Sequence, residues 1–222
     1  MIQNVIYYNK FSLTQIQSET IENVPVVDSK SYCRLEIPSN QSNINALFKK
    51  GYVFVERTLG VSINLSKDEI DYKKLIRFDI KKVQANNEDV LRIAIDSFPT
   101  DRRFHIRPEY DNSISEIIIR DWVSKLNEIY VCVYKDKIIG FIDLEPYNEK
   151  DCFIHLAAVQ KEYRATGAAV ALYAHAIIKA KEKGCNKICG RISSANVAVM
   201  NLYTRLGGTF SEPIDVYLRN EK

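Results

Sequence analysis

Two hydrophobic periods alternate along the chain, and the change between them is sharpest near residue 160. The run Cys152-Phe153-Ile154-His155-Leu156-Ala157-Ala158-Val159 is apolar at nearly every position, as in a buried strand. Beyond the polar stretch Gln160 to Thr166, Val170, Ala174, Ile177, Ile178 and Lys181 recur at helical spacing as one stripe, and Gly184 closes that helix. A strand is then predicted from Asn186 to Ile192, a capped turn at Ser193-Ser194-Ala195-Asn196 and a helix to Leu206. Gly207-Gly208 stop that helix, and a last strand ends near Leu218. Upstream, Phe78 to Val83 reads as a strand, Asn86 to Asp89 as a helix start and Val90 to Ser97 as the helix. Trp122 falls on a second helix ending near Leu126, and strands Tyr130 to Tyr134 and Lys137 to Leu144 flank the turn Lys135-Asp136. Alternating strands and helices predict an α/β fold.

The N-terminal third echoes the C-terminal end. Sliding the chain by 156 positions pairs Cys33 with Cys189, Asn40 with Asn196, Asn45 with Asn201, Gly51 with Gly207, Phe54 with Phe210 and Glu56 with Glu212. Both copies read strand, polar turn, short helix, glycine, strand. The charged segment Ser66 to Lys74 lacks apolar periodicity and reads as a linker. The position equivalent to Tyr203 is Leu47, so the first copy keeps the packing and lacks the hydroxyl. The expected organisation is a small, catalytically silent α/β domain over residues 1–70 and a main domain over 77–222.

Composition narrows the function classes. The chain of 222 residues is 46% hydrophobic, enough to bury a sizeable core. Its 31 basic and 28 acidic residues leave a net charge of +3, with no long basic run, so neither nucleic acid nor a membrane surface is an expected partner. The absence of a spanning apolar stretch and of a signal-like start at Met1-Ile2-Gln3-Asn4 predicts a cytoplasmic protein. The five cysteines, Cys33, Cys132, Cys152, Cys185 and Cys189, are read as buried free thiols rather than as disulfides or a zinc site.

The junction at residues 159 to 169 carries the first chemical signal. The first turn of a helix leaves about four N–H groups without an intrahelical partner and bears the positive end of the macrodipole. Gly167, Ala168 and Ala169 have no bulk to keep a ligand off that backbone, and a pyrophosphate suits such a site. An ordinary strand-loop-helix crossover, with small residues for close packing, is the bland alternative.

The spacing Arg164-x-x-Gly167-x-Ala169 resembles the acyl-CoA pyrophosphate loop, Gln/Arg-x-x-Gly-x-Gly/Ala, of the GCN5-related N-acetyltransferases, the GNAT superfamily. Asn196-x-x-x-x-Asn201-Leu202-Tyr203-x-x-x-Gly207 is similar to that family's second cofactor motif, in which the Asn helps hold the coenzyme arm and the Tyr faces the departing sulfur. The resemblance implies a mixed twisted sheet with flanking helices, acetyl-CoA as co-substrate, no metal, and direct transfer to an amine. It implies that Ala157, Val159, Arg164, Ala165, Thr166, Gly167, Ala168, Ala169 and Asn196 bind the cofactor, and that Tyr203 protonates the leaving sulfur. In one respect the chain departs from the pattern: where many relatives carry an aromatic residue after the first glycine of the closing turn, it has Gly208 and delays the aromatic to Phe210.

A small leading domain and the element Arg103-Phe104-His105 resemble the sugar-nucleotide N-acetyltransferases of the TDP-fucosamine group. Arg102, Arg103 and Arg107 with Phe104 and Tyr110 offer guanidinium forks and aromatic faces to a nucleotide-sugar, although a solvated basic loop has the same composition. For the base, Phe153 stands where some relatives carry Glu. His155, two residues along on the face shared by Phe153, Ala157 and Val159, is the nearest titratable group, with Asp143 and Glu145 acting through water as rivals. Transfer to a protein or peptide amine, a non-catalytic acyl-CoA sensor, and a homodimeric assembly stay open at this point.

Overall fold

In the computed structural model, which describes residues 1–7, 12–24, 32–41, 44–66, 70–84, 86–98 and 112–219, the chain forms two units. The first half of the chain contributes β1 (Ile2–Tyr7), β2 (Ser12–Gln17), β3 (Tyr32–Pro38), α1 (Ile44–Lys49), β4 (Tyr52–Asn64), β5 (Asp79–Val83) and α2 (Glu88–Ser97). There follow α3 (Asn112–Ser124), β6 (Ile129–Tyr134), β7 (Lys137–Asp143), β8 (Glu145–Pro146), β9 (Asp151–Ile154) and β10 (Ala157–Val159). The chain ends with α4 (Ala168–Glu182), β11 (Lys187–Ser193), α5 (Val197–Arg205) and β12 (Gly208–Arg219).

The first unit comprises Met1–Gly60, Ile192–Val197 and Phe210–Lys222, and the second Val61–Arg191 and Ala198–Thr209. The parting therefore falls at Gly60, not at the expected 70–77, and the first unit draws in the far end of the chain. Part of the expected linker is packed: Tyr72 is buried in the second unit, its hydroxyl donating to the Leu206 carbonyl at 3.1 Å. Lys67, Asp68 and Glu69 of that segment lie outside the described residues.

In the first unit the strands stand in the order β1-β2-β3-β12-β4, with β2 and β3 parallel and β12 antiparallel to β3. Alternate residues of β3, Cys33, Leu35 and Ile37, are buried, as period-two patterning requires when one sheet face is covered. Leu47 of α1 closes that core against Ile16, Tyr52 and Tyr217. Arg57 of β4 grips Asp215 of β12 with two charge-assisted hydrogen bonds of 2.6 and 3.0 Å.

The internal echo has a structural counterpart. Gly51 and Gly207 follow α1 and α5 with φ of +81° and +80°, the left-handed cap that only glycine adopts without strain. In the first unit the Thr58 hydroxyl donates to the Ile214 carbonyl at 3.4 Å, and these two residues are 156 positions apart, the offset of the echo itself. Leu47 and Tyr203, equivalent in the echo, are both buried.

The second unit contains the four-stranded run β10-β7-β6-β5 and the run β11-β9-β8. Lys135 and Asp136 turn β6 into β7 with φ of 48° and 62°, matching the expected hairpin. Asn87 caps α2 by accepting from the Val90 N–H. Helix α4 packs on β6, β7 and β10, and its buried face is broader than the expected stripe. Ala168, Ala171, Leu172, Ala174, Ile177 and Ala180 are all buried, whereas Val170, Ile178 and Lys181 are only partly so, because alanines let the helix approach the sheet on a wider front. Gly184 ends α4 with φ +76°.

The expectation of five free thiols is corrected at two positions. Cys152 of β9 and Cys185 after α4 form a disulfide, brought together because β9 and β11 run side by side. Cys33 and Cys132 are buried free thiols and Cys189 is a half-buried one. Among the described residues, no helix is long and apolar enough to cross a membrane.

Candidate active site

One apolar run serves two sheets. Residues 151–154 pair in parallel with β11, the last pair being Ile154 with Gly190, and residues 157–159 pair antiparallel with β7. The sheet forks at His155-Leu156. What holds the fork is Asp143, the last residue of β7. Its N–H donates to the Leu156 carbonyl at 3.1 Å, its Oδ1 accepts from the His155 N–H at 2.9 Å and the Leu156 N–H at 2.6 Å, and its Oδ2 accepts from the His155 N–H at 3.1 Å. Asp143 is fully buried, and burial, opposed by those two N–H bonds and helped by nearby Glu145, pushes its pKa up to about 7. Both oxygens are thus engaged in architecture, and Asp143 is not presented to a substrate as the water-relayed base weighed from sequence.

The register next to the fork directs two backbone donors outward. Asp143 N–H bonds Leu156 O and Gln160 N–H bonds Ile139 O, so alternation in the antiparallel ladder turns the N–H groups of Ala157 and Val159 away from β7. β10 is the edge strand of its run. On this edge the Arg164 guanidinium Nε donates to the Val159 carbonyl at 3.1 Å, which lays the following loop along the strand end.

That loop is built as a helix entrance. Thr166 Oγ1 and N–H both bond the Tyr163 carbonyl, at 2.7 and 3.2 Å, and Gly167 then takes φ +90° and ψ 2° to start α4. A side-chain carbon on Gly167 would meet nothing within 4 Å, so the cradle in front of the helix end is open. Arg164, Ala165 and Thr166 are exposed and Ala169 is half-buried. Ala168 differs from expectation: it is fully buried, and its small size serves packing rather than ligand access. Likewise Val159 departs from the open face shared by Phe153, His155 and Ala157, its side chain being buried where β10 dips under α4.

Tyr203 reaches the fork from α5. A side-chain carbon on Gly190 would lie 3.1 Å from the Tyr203 hydroxyl and 3.4 Å from the Ile154 carbonyl, so glycine at 190 leaves room for the phenol where β9 and β11 part. The Tyr203 ring is 1% exposed and packs edge-on against Tyr173 at 5.1 Å, and its hydroxyl is hydrogen-bonded to Tyr173. Burial first, then Tyr173, raises its pKa well above that of a free phenol. Gly208 explains the departure from the motif: a carbon there would fall 2.9 Å from the Tyr203 carbonyl. His155 is exposed, with Nε2 4.0 Å from Glu145 Oε2. Desolvation lowers its pKa while Glu145 raises it, and the net direction is down, toward the neutral imidazole.

The second unit thus brings together His155, Ala157, Val159, Arg164 to Ala169 and Tyr203. From the fork at His155 to the loop at Gln160 is roughly 16 Å of extended chain, at about 3.3 Å per residue. Asn196 belongs to the first unit, where it is exposed and its N–H donates to the Ser193 carbonyl at 3.0 Å. Arg102, Arg103, Phe104 and Arg107 lie outside the described residues. The clamp of Asp143 and the partnership of Tyr173 have no counterpart among the residues expected at the site. A signal for the first was present, a lone carboxylate ending the apolar run Ile138-Ile139-Gly140-Phe141-Ile142, since such a charge needs a specific partner.

Comparison with known proteins gives these positions a context. The model of the Acetyltransferase (GNAT) family matches residues 87–208. No curated protein matches the chain. Among solved structures, a functionally unknown conserved protein from Staphylococcus epidermidis superposes with a TM-score of 0.66 at 16% identity, covering 96% of this chain and 85% of that one. A GCN5-related N-acetyltransferase from Sphaerobacter thermophilus gives 0.56 at 15% identity, covering 86% of this chain and 61% of that one. The GCN5-related glucosamine N-acetyltransferase region of a fungal multi-domain β-N-acetylglucosaminidase gives 0.61 at 11% identity, covering 97% of this chain but 31% of that one. At these identities the likeness is one of fold.

Proposed function

Since the chain belongs to the acetyltransferase (GNAT) family, matched over residues 87–208, we propose that it transfers acetyl from acetyl-CoA directly to a primary amine carried by a nucleotide-linked amino sugar. The observation that carries this reading is the outward pair of N–H donors at Ala157 and Val159, set between the open helix entrance at Gly167 and the fork at His155. Acetyl-CoA, when bound, supplies an acyl group activated as a thioester, whose carbon joins the amine nitrogen as the carbon–sulfur bond breaks. Arg164 to Ala169 would hold its pyrophosphate on the first-turn N–H groups of α4. One of these two donors, at Ala157 or Val159, would face the carbonyl oxygen, where a preorganised dipole acts most strongly as negative charge develops. His155, kept neutral by desolvation, takes a proton from the attacking amine. Tyr203, kept protonated by burial, is a hydroxyl donor toward the leaving sulfur.

The nucleotide-sugar acceptor rests on Arg102, Arg103 and Arg107 with Phe104 in the sequence, and the fold shared with a glucosamine N-acetyltransferase region is in keeping with a sugar amine. Thiol release from acetyl-CoA across nucleotide-linked amino sugars and amine-bearing peptides tests it. Arg103→Ala is expected to raise the acceptor KM far more than that of acetyl-CoA. Turnover of peptides but of no nucleotide-sugar would refute the acceptor assignment. Tyr203→Phe is expected to lower kcat by roughly 10²–10⁴ with acetyl-CoA affinity nearly unchanged. Tight coenzyme binding without turnover of any amine would favour a sensor.

A further inference from the structure

Ahead of the fork, on the open face of β8 and β9, three rings are in successive contact. The ring centroids of Tyr147 and Phe153 are 5.2 Å apart with planes tilted by 33°. Those of Phe153 and His155 are 4.6 Å apart and tilted by 43°. The opposite face of the same strand, Cys152, Ile154 and Leu156, is buried, so these rings are not on the core side of the sheet. Tyr147 is 63% exposed, yet its position is set: its N–H donates to the Asp151 carbonyl at 2.9 Å, beyond the pair Pro146 with Cys152.

A charge lies beside these rings. Glu145 is the cross-strand partner of Phe153 and therefore shares its face. One carboxylate oxygen accepts the Asn127 N–H at 2.8 Å, and the other lies 4.0 Å from His155 Nε2. Successive ring contacts thus lead from Tyr147 through Phe153 to the His155 imidazole with Glu145 beside it, two residues short of the outward N–H of Ala157. Such a surface matches a molecule with an apolar ring face at one end and a cationic amine at the other: the rings take the ring, and Glu145 takes the ammonium.

We propose that Tyr147, Phe153 and His155, with Glu145, form the acceptor subsite, and that the acceptor is a primary amine borne on a ring. The assignment rests on the acetyl-transfer reading and specifies which side the amine comes from. The amine arrives as ammonium beside Glu145 and loses one proton to solvent, which frees the nitrogen lone pair near Ala157. His155 Nε2 takes the second proton as the carbon–nitrogen bond forms.

The test uses the intact protein with three acceptors: glucosamine, with a saturated ring; benzylamine, with an aromatic one; and propylamine, with none. Tyr147→Ala removes an exposed ring and leaves the core intact. It is expected to raise KM at least about tenfold for ring amines while leaving propylamine and acetyl-CoA unaffected, with Tyr147→Phe restoring the wild-type value. Comparison of the first two acceptors tells a sugar from an aromatic ring. NMR titration of the same amines reads the subsite without turnover. Loss of ring-amine binding in Tyr147→Ala, in a protein that acetylates nothing, would keep the subsite and overturn the acetyl-transfer reading. Unchanged ring-amine binding in Tyr147→Ala, or no ring-amine binding to the wild type, would overturn the subsite.

Discussion

At Gly167 the backbone turns through φ +90° into the first turn of α4, with open space where a side chain would stand. Valine there is strained by its branching and would also fill the cradle in front of the helix. Gly167→Val is expected to weaken acetyl-CoA binding at least tenfold, about 1.4 kcal/mol, by calorimetry on a variant shown to be folded. Asp143 gives the residue scale its pH dependence. Its carboxyl is raised to about 7 in the folded protein, so folding favours the protonated form. The stability it contributes is present in full below its unfolded value of about 3.9 and is lost as pH rises through about 7. Asp143→Asn should therefore flatten the stability curve between pH 4 and 8. Denaturant midpoints at pH 5 and pH 8 would differ less in the variant than in the wild type, and an equal difference would refute this. The residues whose role depends on local backbone, Gly167 and the strand face of His155, were legible because three or four neighbours determine them. Asp143 was legible as an oddity but not as a clamp, since its partners lie 12 and 13 positions away and a register had to be known first.

Among the elements, the strand-loop-helix unit around α4 follows from hydrophobic period and glycine placement alone, and its boundaries fall within a residue or two of those expected. The fork does not. A run of eight residues, apolar but for His155, reads as one strand, and only the positions of β7 and β11 show that it belongs half to each. For the same reason the disulfide of Cys152 with Cys185 escaped the sequence: 33 residues separate them, and no spacing announces the pair. Helix α1 is a short element of six residues whose one fully buried side chain is Leu47. Leu47→Ala is expected to cost about 2–5 kcal/mol, read as a lowered denaturant midpoint. Activity per folded molecule should stay unchanged, because the first copy of the echo carries leucine where the second carries the Tyr203 hydroxyl. A loss of kcat at intact stability would overturn the view that the first unit takes no part in the chemistry.

For the whole molecule, period and composition place the chain in the α/β class, and the family match over residues 87–208 identifies the fold that carries the site. The division into units was not legible, because a boundary read along a sequence assumes that each part is contiguous. Here β12 lies between β3 and β4, and Arg57 and Asp215, which join β4 to β12, are 158 positions apart. Translation proceeds at roughly 5–20 residues per second. At that pace a nascent chain waits on the order of 8–30 s between making Arg57 and making Asp215. During that interval β3 and β4 each have an edge exposed, able to pair with a neighbouring chain. The sheet begun by β3 and β4 is therefore completed only when β12 follows, and its yield in a cell depends on how well those two edges are shielded until the closing strand emerges.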